Sequence, residues 1–124
     1  MPGRILVVDD DPMMRMYIKK RLEWEKGFEV CGEAENGRDA VEKAEHLRPD
    51  AIVLDLSMPV MNGLDAARLL RRLLPNVPIL MYTSHTTANL DAEALAAGAN
   101  AILEKGKPID ELVTGLQQLV RRAA

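Results

Sequence analysis

Five short apolar runs, each followed by a stretch with helical spacing, constrain the fold of this chain more than any other feature. The runs are Ile5–Val8, Phe28–Cys31, Ala51–Leu54, Ile79–Tyr82 and Ala101–Leu103. Ile5–Val8 and Ile52–Leu54 contain no polar residue, as expected of central parallel strands covered on both faces. Between them, Met14, Tyr17, Ile18 and Leu22 fall on one face of a first helix, with Asp11 as its cap and Pro12 in its first turn. A second helix is expected over Gly37–His46, with Ala40, Val41, Ala44 and Leu47 inward, ending before Pro49. A third spans Gly63–Leu73, and a fourth Leu90–Ala97 with Gly98 as its C-cap. A fifth begins at Pro108 and turns Ile109, Leu112, Val113, Leu116, Leu119 and Val120 inward. Such alternation argues for an α/β domain, a parallel sheet with helices on both faces.

The 124 residues suit one domain, 1–124. With only four aromatics (Tyr17, Trp24, Phe28 and Tyr82), aliphatic side chains must build the core. A net charge of −3 with mixed signs lacks the basic field of a nucleic-acid binder. Cys31 is the one cysteine, which excludes an internal disulfide, and its apolar setting reads as a small buried hydrophobe. His46 and His85 stand too far apart in sequence to suggest a zinc cluster. No apolar run is long enough to span a bilayer, and Met1–Arg4 leads straight into a strand without a signal peptide. A cytoplasmic protein is expected.

The placement of polar residues carries the functional information. Asp9 and Asp10 follow the first run, Asp55 the third, Thr83 and Ser84 the fourth, and Lys105 the fifth. In doubly wound sheets, ligands bind outside the carboxyl ends of the strands. Three carboxylates gathered there repel one another, and a hard cation such as Mg²⁺ relieves that with oxygen ligands. An aspartate can also take a phosphoryl group as nucleophile, with a cation, an ammonium and a hydroxyl neutralising the equatorial oxygens. Singly, each residue has a bland role: Asp in turns and caps, Thr at a strand end, Lys in solvent. Four bland roles do not explain why all fall on one edge.

The segments Ile5-Leu6-Val7-Val8-Asp9-Asp10-Asp11-Pro12, Ile52–Pro59 with Met61-Asn62-Gly63, Met81-Tyr82-Thr83-Ser84, and Ala96-Ala97-Gly98-Ala99 leading to Lys105 resemble the signature segments of response-regulator receiver domains. The resemblance covers essentially the whole chain. It implies a flavodoxin-like (βα)5 fold with strand order 2-1-3-4-5. It implies Asp55 as phosphoacceptor, and Mg²⁺ held by Asp9, Asp10, Asp55 and the backbone carbonyl of Ser57. Thr83 would bond a phosphoryl oxygen and Lys105 would pair with the phosphate. The implied role is a signalling switch rather than an enzyme. The phosphodonor would be a sensor histidine kinase or histidine phosphotransfer protein, and the output face the fourth helix, fifth strand and fifth helix.

Two departures stand out. Gly106 follows Lys105 where the family usually has proline, so that bond is expected to be trans. Ile102 occupies the position of the family's switch aromatic, and Tyr82 should point to the opposite side of its strand from Thr83. Ser57 and His85, two residues beyond the acceptor and the hydroxyl, are candidates to tune water access.

Two other readings bear on the same residues. Asp9-Asp10-Asp11 holds the Asp-x-Asp of haloacid-dehalogenase-like phosphatases, but no acidic pair follows a later strand and no cap segment is present. A receiver-like module that is never phosphorylated is the other, against which the intact acidic set argues. A downstream effector protein or a separate output domain is expected as partner, Phe28–Arg48 being similar to receivers that precede helix-turn-helix domains. Apolar helix faces could support a phosphorylation-dependent homodimer.

Overall fold

The computed structural model describes residues 3–84 and 86–123. Five strands, β1 (Gly3–Val8), β2 (Phe28–Ala34), β3 (Ala51–Leu54), β4 (Ile79–Thr83) and β5 (Ala101–Glu104), alternate with five helices. The helices are α1 (Pro12–Trp24), α2 (Gly37–Leu47), α3 (Gly63–Leu73), α4 (Ala88–Ala97) and α5 (Asp110–Ala123). All pairings are parallel and the order is β2-β1-β3-β4-β5, the flavodoxin-like arrangement expected. Strand order reverses between β1 and β3, which opens a crevice beyond their carboxyl ends.

The two-residue period of the central strands divides the core. Leu6, Val8, Ile52, Leu54, Ile79 and Met81 face α2, α3 and α4, where alanines such as Ala40, Ala66 and Ala94 let the helices lie close. Ile5, Val7, Val53, Leu80 and Tyr82 face α1 and α5, packing on Ile18, Leu22, Leu112 and Leu116. Tyr82 is thus buried on the side opposite Met81, and the desolvation raises its phenol pKa.

Local chemistry moved several boundaries. The Thr87 side chain accepts from the Leu90 amide, so α4 starts at Ala88, before the expected Leu90. Pro108 and Ile109 form tight turns, accepting from the amides of Glu111 and Leu112, and α5 proper starts at Asp110 rather than Pro108. Asp11 caps α1 as expected, accepting from the Met13 amide.

Two core assignments need correction. Tyr17, expected inward on α1, is 53% exposed; it lies at the edge of the helix face that Ile18 and Leu22 bury. Cys31 is half-buried rather than buried. The β1–β2 register passes from Ile5↔Val30 to Leu6↔Gly32, so Cys31 is the extra residue of a bulge and leaves the strict alternation of its strand. Burial nevertheless raises its thiol pKa.

The β3–α3 connection holds a strained residue. The Met61 amide bonds the Pro59 carbonyl at 2.7 Å across Val60, whose φ is +68°. That is a γ-turn of the rarer hand, and a β-branched side chain there clashes with its own backbone. Val60 is also 76% exposed, so no packing offsets the strain. Val60→Gly should therefore stabilise the domain by about 1 kcal/mol, strain relief exceeding the added chain entropy. Urea unfolding checks this; an unchanged or lower midpoint would show that the turn carries no such strain.

Candidate functional site

The residues singled out in the sequence are gathered at one edge by backbone bonds that prolong the strand ladders. The Asp9 amide bonds the Ala34 carbonyl at 3.0 Å, and the Asp55 amide bonds the Val8 carbonyl at 2.9 Å. The Lys105 amide bonds the Thr83 carbonyl at 2.7 Å. Behind Asp55, α3 comes so close that a Cβ on Gly63 would lie 2.2 Å from the Asp55 carbonyl oxygen, so only glycine fits there.

Asp9 and Asp55 are only 2% and 5% exposed, while Asp10 is open to solvent. One carboxylate oxygen from each of the three lies within 4.8 Å of the others. Asp9 is held at both oxygens: Oδ1 accepts from the Asp11 amide at 2.9 Å, Oδ2 from Lys105 Nζ at 2.6 Å. Lys105 Nζ also lies 3.4 Å from Asp55 Oδ1. A cleft of about 460 Å³ opens above them, with Ser57, Thr83 and Ser84 among its lining residues. His85 lies outside the described residues.

Electrostatics follow from this crowding. Burial, then the adjacent Asp9 charge, pushes the Asp55 carboxyl up to about 6, against the opposing pull of Lys105. Burial disfavours the Lys105 ammonium, but its hydrogen bond to Asp9 and the charges of Asp55 and Asp9 outweigh that and raise its pKa. A buried cluster with more carboxylates than cations suits a hard divalent ion with oxygen ligands, and the donor set fits Mg²⁺.

Ile102 lies on the same face as Met81, packed against the α2–α4 side of the core. No aromatic occupies its place. The Lys105–Gly106 bond is trans as expected, and Gly106 takes φ +91°, which proline cannot adopt. Two contacts went unforeseen. The Thr86 hydroxyl donates to Glu104 Oε1 at 2.6 Å, tying the loop after Thr83 to the residue before Lys105. Arg15 donates to the Asp9 main-chain carbonyl at 2.6 Å and to Glu33 Oε1 at 3.2 Å. Neither pairing leaves a signal in spacing, because each joins segments brought together only by the sheet.

Comparison with known proteins agrees with this geometry. The chain is 38% identical over 119 residues to the chemotaxis protein CheY of Thermotoga maritima, covering 96% of this chain and 98% of that one. It is 48% identical over 107 residues to a protein-glutamate methylesterase/protein-glutamine glutaminase of Alkalilimnicola ehrlichii, covering 85% of this chain but only 27% of that enzyme. Among solved structures, the response regulator domain of Thermotoga maritima CheB superposes with a TM-score of 0.87 at 33% identity, covering 99% of this chain and 96% of that one. A LuxR-family two-component response regulator from Aurantimonas superposes with a TM-score of 0.93 at 29% identity, covering 98% and 86%. Residues 5–117 match the response regulator receiver domain. With the sheet order, the acidic cluster and the paired lysine all in place, this chain belongs to the receiver domains of two-component response regulators.

Proposed function

We propose that this receiver domain is a phosphorylation switch that takes a phosphoryl group onto Asp55. The observation that carries this is the convergence of Asp9, Asp10, Asp55 and Lys105 in one cleft that Thr83 also lines. An Asp55 carboxylate oxygen attacks the phosphorus of a phosphohistidine on a sensor kinase or histidine phosphotransfer protein. The P–N bond breaks, its electron pair stays on the imidazole nitrogen, and Asp55 becomes an acyl phosphate. Mg²⁺, held by Asp9, Asp10, Asp55 and the Ser57 carbonyl, would supply charge neutralisation on the phosphoryl oxygens. Lys105 moves from its carboxylate partners to pair with the transferred group.

Thr83 then donates to a phosphoryl oxygen and draws with it the loop that Thr86 ties to Glu104. The surface formed by α4, β5 and α5 changes as a shift between two populations. Ile102 in place of an aromatic means that this shift reaches the surface without ring rotation. The partner would be an effector protein, an attached output domain or a second copy of the chain. No helix among the described residues is long and apolar enough to cross a membrane, and a cytoplasmic setting fits this chemistry.

Intact-protein mass after incubation with a small phosphoryl donor tests the reading. One added phosphoryl group, dependent on Mg²⁺ and absent in Asp55→Asn, is the expected result. No gain by the wild type beside a control receiver that is labelled would favour an unphosphorylated interaction module. Thr83→Ala should still be labelled but lose the amide chemical-shift changes in α4 and β5. Identical changes in mutant and wild type would remove Thr83 from the switch.

A further inference from the structure

Asp10 is the exposed member of the acidic cluster, and no hydrogen bond among the described residues holds its carboxylate. Where that side chain starts and which way its Cα–Cβ bond points are set by the backbone, first of all by the Asp9–Asp10 peptide plane. One edge of that plane is the Asp9 carbonyl, and Arg15 grips it. Arg15 stands one turn into α1, its amide bonded to the Asp11 carbonyl at 3.0 Å. Its Nη1 donates to the Asp9 carbonyl at 2.6 Å while Nε donates to Glu33 Oε1 at 3.2 Å. The side chain is 17% exposed, and Glu33 fixes the guanidinium from β2. One planar fork thus ties α1, β2 and the acidic turn together, a geometry that an ammonium cannot reproduce.

Resting on the magnesium reading above, we infer that Arg15 is a positioning residue for the divalent-cation site, acting through the Asp9 carbonyl on the orientation of Asp10. Arg15 is not among the residues lining the acidic cleft, so it would act without touching the ion. Two of its effects oppose one another. Its positive charge near the carboxylates disfavours a cation, whereas its grip on the turn favours one. Groups that orient metal ligands typically govern affinity by about ten- to a hundredfold, so the grip dominates.

The test is calorimetric titration of the metal-free protein with magnesium chloride, beside Arg15→Met, Arg15→Lys and Glu33→Gln. Both Arg15 variants are expected to bind Mg²⁺ roughly tenfold more weakly. Arg15→Lys weakens binding despite its retained charge, and Glu33→Gln falls between those variants and the wild type. The Asp10 amide nitrogen, bonded to the carbonyl that Arg15 grips, should also shift in the metal-free Arg15→Lys spectrum. Unchanged affinity in folded Arg15→Lys, even with lowered thermal stability, would reduce Arg15 to a structural tie and overturn the inference. Tighter binding in Arg15→Met with wild-type affinity in Arg15→Lys would assign the effect to charge and overturn it equally. A wild type that takes up no Mg²⁺ would instead overturn the magnesium reading itself, and this inference with it.

Discussion

Lys105→Met should cost about 3 kcal/mol of stability at pH 8 without Mg²⁺, and most of that loss should disappear at pH 5 or on adding Mg²⁺. Lys105 Nζ is the one cation within 4 Å of Asp9 and Asp55 among the described residues, at 2.6 and 3.4 Å. Both carboxylates are buried, so removing the ammonium leaves two like charges with no compensating charge at short range. Breaking a buried pair from one side is far more costly than its net worth, because the remaining charge cannot return to water. Below the Asp55 pKa that carboxyl protonates and the repulsion vanishes, while a divalent ion restores the missing charge. Urea unfolding at pH 5 and pH 8, with chelator and with Mg²⁺, gives the four values needed. A loss independent of pH and of Mg²⁺ would mean that the Lys105 stem matters through packing, and that its charge is not what holds the cluster.

Asp55 should make the metal-free domain less stable as pH rises, the reverse of an ordinary ion-paired carboxylate. Folding raises its pKa from 3.8 to about 6, so the folded state binds the proton more tightly than the unfolded chain. The stabilisation this gives is fully present below about pH 4 and is lost as pH rises through 6. A shift of that size corresponds to about 3 kcal/mol in full, of which about 2 kcal/mol falls between pH 4 and pH 7. Asp55→Asn removes the titration and should be about 2 kcal/mol more stable than wild type at pH 7 in chelator, with the difference shrinking toward pH 4. Saturating Mg²⁺ should narrow the gap at pH 7, since the ion stabilises the carboxylate that asparagine lacks. A pH-independent difference between the two proteins would place the cause outside this titration.

Both expected results have one cause, two buried carboxylates held close together with Lys105 as their short-range cation. Burial of Asp9 and Asp55 raises the free energy of the bare site, and a bound cation would relieve it. The strained Val60 turn lies in the β3–α3 connection that follows Asp55. Strain of this kind is commonly retained near functional loops.

Much of this molecule was legible in one dimension. The apolar runs mark all five strands, and the span expected for α3, Gly63–Leu73, is the one observed, because periodicity and capping are local properties. The site was legible for a related reason. Residue types that follow strands in a parallel sheet necessarily collect at one edge, so Asp9, Asp10, Asp55, Thr83 and Lys105 could be placed together before any contact was known. Tertiary structure decided what depends on registry between distant segments. It made Asp9 the nearer partner of Lys105 across 96 residues of sequence. It set Cys31 in a bulge, joined Thr86 to Glu104, and brought Arg15 of α1 against the Asp9 carbonyl with Glu33 of β2 behind it. Spacing along a chain records which face a residue occupies, but which atoms meet across that face is settled only when crossover helices bring the strands into register.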